Sequence, residues 1–338
     1  MIDASVVIAS HNRRELLRDT LESISGGGAN DVSHETIVVV DDGSTDGSDA
    51  VVQEWFDNRV EAGRLVRQSK AGRAAARNRG AREASGRILV FIDDDVLVPS
   101  GFLASHLATL EAHPGSWVTG RVRQSDAAAR TPLGRYQIEA LDLWYRQLPP
   151  DRVSVVPGVA GANVSLPKPE FELVGGFDES LTSGDDWDFA HRARQLGITM
   201  LYDPAIVVVH NGWSSSLTEL CQRYRIYSAS DVLLSRKFGE AFPQSSVVRA
   251  NGPIDWKSDR PGVIAKKLVK KVLSGPGGSA LLLRAARIAE RMVPEASVCR
   301  KAYDAAVGAA IYGGVQEGLR RYGVPDALRS EAREEPAA

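Results

Sequence analysis

This sequence has few cysteines, no long apolar run and almost no net charge. Its 338 residues include only two cysteines, Cys221 and Cys299, which lack the spacing of a metal site and indicate a reducing compartment. No apolar run approaches the roughly 18 residues that a membrane-spanning helix requires. The formal net charge is only −2, so the sequence predicts no nucleic-acid partner.

The overall composition is ordinary for a soluble globular protein, with 43% apolar and 25% charged residues. The length suits one large domain with a smaller one, or two domains. The first segment, MIDASVVIAS, contains Asp3 and no basic stretch, so it looks like a strand and not like a signal peptide. We therefore expect a cytoplasmic protein, with peripheral contact at the inner face of the membrane as a further candidate.

The first 130 residues alternate short apolar runs with helical patterns. SVVIAS, TIVVVDD and RILVFIDDD predict strands, while RRELLRDTLESIS and SDAVVQEWF predict helices. Continuous β-branched runs are typical of strands buried on both faces, as in a parallel sheet. The alternation of strands and helices indicates the same α/β architecture. In such sheets, ligands bind beyond the carboxyl ends of the strands.

Two acidic clusters, Asp41–Asp42 and Asp93–Asp95, directly follow predicted strands. Two carboxylates about 4 Å apart repel by roughly 4 kcal/mol at an effective dielectric near 20. A bound cation would offset that cost, whereas the alternative is a strand that stops at a solvated acidic turn. The loop DDGSTDGSD is not an EF-hand, because its twelfth position is Gln53, which cannot supply a bidentate carboxylate. The position of both clusters at strand ends favours a ligand site.

A third acidic group opens the helical pattern GDDWDFAHRARQLG with Asp185, Asp186 and Asp188. The helix dipole favours acids in a first turn, which is a purely structural explanation. Gly184, just before them, would instead give a substrate close access. His210 ends the apolar run AIVVVH, where it is either structural or the third ligand of an oxygen-rich metal site.

Six segments follow one another between Asp3 and His210: VVIASHNR, IVVVDDGSTDGS, GRAAARNRGAREASGRILVFIDDD, GANVSLP with GGFDE, GDDWDFAHR and VVVH. In this order and spacing they resemble the motif series of family 2 glycosyltransferases with the GT-A fold. The resemblance implies an α/β, Rossmann-like domain with a mostly parallel central sheet flanked by helices. The helical C-terminal extension lies outside the motif series.

The resemblance implies a site for a nucleotide-sugar donor. The residues implied for donor binding are Ala9, Ser10, Asp42, Arg77, Asp93 and Asp94. The backbone of the first two and the Asp42 carboxylate would hold the nucleotide base, with Asp41 beside it, and the others would lie near the ribose or the sugar. Asp95, together with His210 and Asp93, would bind a divalent cation, Mn²⁺ or Mg²⁺.

Asp186 matches the catalytic base of the family. The residues predicted to face the acceptor are Gly176, Phe177, Asp185 and Trp187. The chain departs from the family at Ala9-Ser10-His11-Asn12, where Pro-Thr-Tyr-Asn is usual, but contacts there are largely made by the main chain. Asp185-Asp186 replaces the usual Glu-Asp pair, which leaves the base in place.

The implied reaction is a metal-dependent transfer of a sugar from a nucleotide diphosphate sugar, most often a UDP-sugar in this family, to an acceptor hydroxyl. One base and one displacement would invert the anomeric configuration. The acceptor could be a glycan, a lipid carrier or a small molecule. A sugar-1-phosphate nucleotidyltransferase is the alternative enzyme, although ASHNRREL is not the Gly-rich loop it usually carries. The non-catalytic hypotheses are a nucleotide-sugar-binding homologue and a receiver domain. The motif series runs well past the length of a receiver domain.

The predicted glycosyltransferase domain covers 1–215 and ends with a strand pair in TMLYDPAIVVVH. A helical region over 216–330 follows, with a long helix from near Ser216 and a linker at about 244–262. The tail, 331–338, is predicted to be disordered. The segment AKKLVKKVL is basic and amphipathic, which suits a membrane surface or a solvated helix face. The C-terminal helices are also candidates for a homodimer interface or an acceptor pocket.

Overall fold

The computed structural model describes residues 4–24, 35–58, 63–257, 259–295 and 297–325. They form two compact units. The first unit lies within 1–130 and 137–213, and the second within 131–136 and 214–338. The predicted disordered tail lies outside the described residues.

A single sheet organises the first unit. The strands in the described chain are β1 Ala4–Ser10, β2 Glu35–Asp42, β3 Gly63–Gln68, β4 Ile88–Asp93, β5 Val96–Leu97, β6 Ser116–Gln124, β7 Ser154–Val155, β8 Asn163–Pro167 and β9 Thr199–His210. They are ordered β3-β2-β1-β4-β8-β6-β9-β5, with β7 on β9. The strands β3, β2, β1 and β4 are mutually parallel, and β6 is parallel to β9. This confirms the predicted α/β fold with a mostly parallel sheet.

Seven helices of the described chain accompany this sheet: α1 Arg14–Ser23, α2 Ser48–Asp57, α3 Arg73–Glu83, α4 Phe102–Ala112, α5 Pro132–Tyr145, α6 Lys168–Val174 and α7 Asp185–Gln195. The central strands are buried as their β-branched runs predict, with Val7, Val38 and Val90 inaccessible to solvent. Gly80 lets α3 lie close to this layer, because a Cβ there would come within 2.3 Å of Cγ1 of Val7.

The predicted strand pair at 199–210 is wrong, because the segment forms one continuous strand, β9. The Asp203-Pro204 step lies at a local irregularity opposite Gly120, where the register with β6 shifts. Asp203 accepts hydrogen bonds from the Ala205 N–H at 2.9 Å and from the Thr109 hydroxyl at 2.6 Å. The polar side chain is therefore satisfied inside the sheet and the chain does not need to reverse.

The second unit is helical, as predicted. Besides the start of α5, its described part contains α8 Leu217–Phe238, α9 Ser245–Ala250, α10 Pro261–Leu273, α11 Pro276–Met292 and α12 Ser297–Tyr322. The hydroxyl of Ser216 caps α8 by accepting a hydrogen bond from the Glu219 N–H. None of the described helices combines the length and apolar character needed to cross a membrane.

The segment predicted as a linker, 244–262, contains the helix α9 and the first two residues of α10. Val248 is fully buried and packs with Val232 and Val315. The Pro, Gly and Ser content of the segment suggested a loop, but this apolar contact holds its first half in a helix.

We predict that Gly80→Ala destabilises the first unit, although alanine favours a helix by about 1 kcal/mol over glycine. The added methyl group would overlap the Val7 side chain, and overpacking of this kind costs about 1–3 kcal/mol. The thermal unfolding midpoint should fall. The control is Gly308→Ala in α12, where a Cβ meets no atom within 4 Å. Equal midpoints for both variants would contradict the close packing of α3.

Candidate active site

The carboxyl ends of β1, β2 and β4 place the first two acidic clusters at one edge of the sheet. In the strand register, Ser10 of β1 lies opposite Asp41, and Ala9 lies opposite Asp93. The Ser10 hydroxyl donates a 2.7 Å hydrogen bond to Oδ2 of Asp94. The fold therefore brings together residues that are more than 80 positions apart in the chain.

Asp42 orders the loop that precedes α3. One carboxylate oxygen accepts hydrogen bonds from the Ala71 N–H and the Gln68 side chain, both at 2.7 Å, and the other accepts one from the Gly72 N–H at 2.8 Å. Asp41, beside it, is buried, and its Oδ1 has no hydrogen-bond partner among the described residues. Contact of Asp42 with a nucleotide base stays a prediction.

Four charged side chains from α3, the end of β4 and the start of α7 form a cluster, which we call the arginine cluster: Arg73, Arg77, Asp93 and Asp185. Arg77 is almost fully buried and donates to Asp93 at 2.6 Å and to Asp185 at 2.9 Å. Arg73 donates to the second oxygen of Asp185 at 2.5 Å. Burial alone would raise the pKa of Asp185, but the two guanidinium groups hold it below its usual range.

Asp185, predicted to face the acceptor, is buried between these two arginines. Its side chain is only 2% exposed, and each of its oxygens accepts a hydrogen bond from an arginine. Contact of Asp185 with an acceptor stays a prediction. The acid that looked like a neighbour of the base instead ties α7 to α3.

Asp186 is the second residue of α7, lies beside this cluster and is half-buried. The Trp187 N–H donates to Oδ1 of Asp186 at 2.8 Å, and the Gly161 N–H is 3.4 Å from Oδ2. Burial raises the pKa of Asp186, and the adjacent Asp185 carboxylate raises it further. The result is an oriented carboxylate whose affinity for a proton is higher than usual, which is what a general base requires.

The other residues predicted to face an acceptor have mixed environments. Phe177 is 3% exposed and packs in the core against Phe91 and Phe189, with ring centroids 5.3 and 4.5 Å away. Gly176 has a left-handed φ of 71° and lies against Asn78. Trp187 is half-buried and stacks on His191 at 4.9 Å. An acceptor contact by these residues stays a prediction.

Asn78 is a residue of the site region that the sequence reasoning missed. It is buried on α3, its amide donates to the Phe177 carbonyl and to Glu179, and its oxygen accepts from the Phe177 N–H. These bonds attach the GGFDE segment to α3. The signal was available, because Asn78 lies one residue after Arg77 in a motif already singled out.

The spacing of Asp95 and His210 is that of two ligands of one divalent cation. Pairing of β5 with β9 sets His210 opposite Val96, and its Nε2 lies 3.3 Å from Oδ1 of Asp95. Two ligands at right angles, each about 2.1 Å from Mg²⁺, would be about 3 Å apart. Nδ1 of His210 is buried without a hydrogen-bond partner in the part of the chain that the structure describes.

This pair is not a complete cation site. Among the described residues, no group of three or more His, Cys, Asp or Glu side chains is arranged to hold a metal. Mg²⁺ is commonly bound by one or two carboxylates together with substrate phosphates, so a diphosphate could supply the missing ligands. Asp93, the third predicted ligand, is held by Arg77, and its contact with a cation stays a prediction.

Gly212 also shapes this part of the site, and the sequence reasoning missed it. A Cβ at this position would lie 1.8 Å from Oδ2 of Asp95. The Asn211 N–H donates to the Asp95 carbonyl at 2.7 Å. The segment after β9 can therefore pass directly against Asp95 only because residue 212 has no side chain.

Residues 5–163 match the family described as "Glycosyl transferase family 2". This part of the chain belongs to family 2 of the glycosyltransferases. The segment includes β1 to β4 with both acidic strand ends, and it stops short of α7. The resemblance inferred from the motif series is thereby confirmed.

Curated relatives agree with this assignment. The pre-mycofactocin glycosyltransferase of Mycobacterium tuberculosis is 32% identical over 213 residues, which cover 62% of this chain and 43% of the relative. Validoxylamine A glucosyltransferase of Streptomyces hygroscopicus subsp. limoneus is 32% identical over 235 residues, which cover 58% of this chain and 49% of the relative. The chain thus spans less than half the length of these two proteins.

Solved structures confirm the GT-A fold. Mannosyltransferase PcManGT of Pyrobaculum calidifontis, in complex with GDP-Man and Mn²⁺, has a TM-score of 0.61 at 21% identity, covering 95% of this chain and 90% of that one. GalNAc-T7 with UDP, GalNAc and Mn²⁺ has a TM-score of 0.54 at 17% identity, covering 78% and 53%. At these identities the likeness establishes the fold alone.

We predict that Arg77→Met strongly destabilises the first unit. The change leaves the buried Asp185 and the adjacent Asp93 without one of their guanidinium partners, and breaking a buried ion pair in this way costs about 3–5 kcal/mol. Arg79→Met, two residues along α3, is the matched control, because the pair of Arg79 with Glu83 is partly exposed and such pairs are worth about 0–1 kcal/mol. Chemical denaturation should separate the two variants, and similar losses would contradict a central role for the cluster.

Proposed function

We propose that this protein is a metal-dependent, inverting glycosyltransferase that moves a sugar from a nucleotide diphosphate sugar to an acceptor hydroxyl. The observation that carries the proposal is the position of Asp186, oriented by two backbone N–H groups beside the arginine cluster. A carboxylate with a raised pKa in such a place is suited to accept a proton. The family assignment makes an acceptor hydroxyl the natural source of that proton.

The donor would lie at the sheet edge formed by β1, β2 and β4. The backbone of Ala9 and Ser10 ends β1 there, and the buried Oδ1 of Asp41 offers an acceptor for a base N–H. Arg73 and Arg77 would lie near the diphosphate or the hydroxyl groups of the sugar. Arg73 is the more accessible of the two, since its side chain is 44% exposed against 3% for Arg77. We favour a UDP-sugar because such donors are the commonest in the family.

Asp95 and His210 are the residues that would hold a divalent cation, with Asp93 as a further candidate. When bound, Mg²⁺ or Mn²⁺ supplies Lewis-acid stabilisation of the negative charge that develops on a leaving diphosphate. A bound cation would also explain why three successive aspartates are tolerated at the end of β4. Burial, and after it the Asp95 carboxylate, raises the pKa of Asp94 to about 7, so a proton relieves part of the repulsion when no cation is present.

Asp186 would take the proton of the acceptor hydroxyl as the oxygen attacks the anomeric carbon from the face opposite the diphosphate. A single displacement assisted by one base inverts the configuration. Asp185 does not share this role, because its two arginines keep it ionised and occupied. It acts as a positioning residue that holds the first turn of α7 in place. The acceptor would be a glycan, a lipid carrier or a small molecule.

Loss of Asp95 should abolish metal-dependent donor binding. For wild type we expect one of UDP, GDP, dTDP and ADP to raise the thermal midpoint only when Mn²⁺ is present. A ligand at 100 times its Kd adds about 2.7 kcal/mol of stability. Asp95→Ala should lose this shift, while Asp126→Ala, which removes an exposed carboxylate, should retain it. A shift of equal size in both variants would contradict the cation site, and no shift in wild type would favour a non-catalytic homologue.

Loss of Asp186 should impair transfer and leave donor binding intact. Removal of a general base lowers rates by roughly 10²–10⁴, so Asp186→Asn should show such a loss in kcat with an unchanged nucleotide-dependent thermal shift. Asp126→Asn is the control.

The pH dependence of wild type tests the same base. The raised pKa keeps Asp186 protonated, and so inactive, at a higher pH than an ordinary aspartate, whose pKa is near 3.9. The rise of kcat/KM with pH should therefore occur at higher pH than for an ordinary aspartate. A profile that is flat above pH 4 would rule out this base.

A further inference from the structure

Helix α10 of the second unit packs with a charged side inward. Lys267 is its buried residue, at 5% exposure, although the helix also contains four valines and leucines that are at least 37% exposed. The Lys267 ammonium donates to the Asp259 carboxylate at 2.8 Å and to the Pro253 carbonyl at 2.9 Å. Lys270 donates to the side-chain oxygen of Asn251 at 2.8 Å. These bonds set the rotation of α10 about its own axis.

This rotation turns an apolar stripe toward solvent. Leu268, Val269 and Val272 are 41%, 56% and 73% exposed. With Ala265 they follow the i, i+3, i+4, i+7 spacing that places residues on one helix face, which would normally be the buried one. The exposed Lys266 and Lys271 lie at the two edges of this stripe at 100° per residue.

Helix α11 repeats the pattern. Leu281, Ile288 and Met292 are 62%, 55% and 75% exposed and share one face of the helix with Ala285. Three arginines, Arg284, Arg287 and Arg291, form the neighbouring face and are exposed. In the loop before α10, Trp256 is 70% exposed. Exposed large apolar side chains concentrated in this way mark an interaction surface.

Charge identifies the partner of this surface. The segment 261–292 contains seven lysines and arginines and one acidic residue, although the whole chain has a net charge of −2. Two copies of such a segment would repel each other, which disfavours self-association. An apolar stripe edged by basic residues is the pattern of a helix that lies in the interface of an anionic bilayer. Tryptophan is enriched at the same depth.

We infer that α10 and α11 form a docking surface for an anionic lipid membrane. The stripes centred on Val269 and Ile288 enter the boundary between headgroups and acyl chains. Lys266, Lys271 and the α11 arginines contact lipid phosphates while their alkyl stems cover the apolar surface. Trp256 lies at the level of the headgroups. This surface is independent of the proposed catalytic site and would remain if the protein proved to be inactive.

The test is sedimentation of the full chain with vesicles of phosphatidylcholine alone and of equal parts phosphatidylcholine and phosphatidylglycerol. Wild type should bind the anionic vesicles and not the neutral ones. Lys266→Glu with Lys271→Glu should weaken the partition coefficient at least tenfold, because each basic residue near such a surface contributes about fivefold. Arg82→Glu with Arg146→Glu makes the same change of charge at exposed positions of the first unit and should bind like wild type.

The apolar stripe is tested separately with Leu268→Ser, Val269→Ser and Val272→Ser combined. These side chains are exposed, so the circular dichroism spectrum and the melting midpoint should not change while vesicle binding falls at least tenfold. Val155→Ser, with its 73% exposed side chain in the first unit, is the control. The protein has six tryptophans, so the blue shift in emission on addition of anionic vesicles should be compared with that of Trp256→Phe, which should lose it.

Three results would overturn the inference. One is the absence of binding to anionic vesicles at low salt. Another is equal binding to neutral and anionic vesicles, since the basic edges would then contribute nothing. The third is a dimer in lipid-free sedimentation that the serine variant dissociates, because the stripes would then be covered by a second copy of the chain.

Discussion

The arginine cluster is the interaction on which the arrangement of the first unit's site depends. Arg77 lies between the end of β4 and the start of α7, and Arg73 holds the same helix from the other side of Asp185. Burial of charges costs several kcal/mol per ion, so they persist only where each has a partner in good geometry. The cluster therefore sets where α7 begins. Asp186, the next residue along the helix, takes its position from this constraint.

The same cluster separates the properties of two adjacent acids. Asp185 faces two guanidinium groups and its pKa is lowered, whereas Asp186 is dominated by burial and by the charge of its neighbour, and its pKa is raised. At the end of β4 the environment divides a second pair, because Arg77 holds Asp93 in its charged form while the pKa of Asp94 rises. Neighbouring carboxylates with opposite shifts can perform different tasks, one binding a partner and one exchanging a proton.

A paired charge also governs the orientation of α10 in the second unit. Buried lysines are rare, and Lys267 is tolerated because Asp259 and a backbone carbonyl satisfy it. Satisfying that charge turns the valines and leucines of the helix outward. From its amphipathic pattern alone the opposite rotation would be expected, with the apolar stripe packed against the protein. Here a local electrostatic requirement outweighs the tendency to bury aliphatic surface.

The sequence by itself determined the parallel β-strands, the acidic residues at their ends and the family, because burial on both faces and the order of short motifs are local properties of the chain. It did not determine that β9 is continuous or that α9 forms within the predicted linker, since Asp203 and Val248 depend on partners distant in sequence. Only the tertiary structure decided that Asp185 binds an arginine of α3, that Asn78 holds the GGFDE segment and that α10 exposes its apolar face. Each of these follows from which charged or polar group lies opposite another, and spacing along the chain does not encode that.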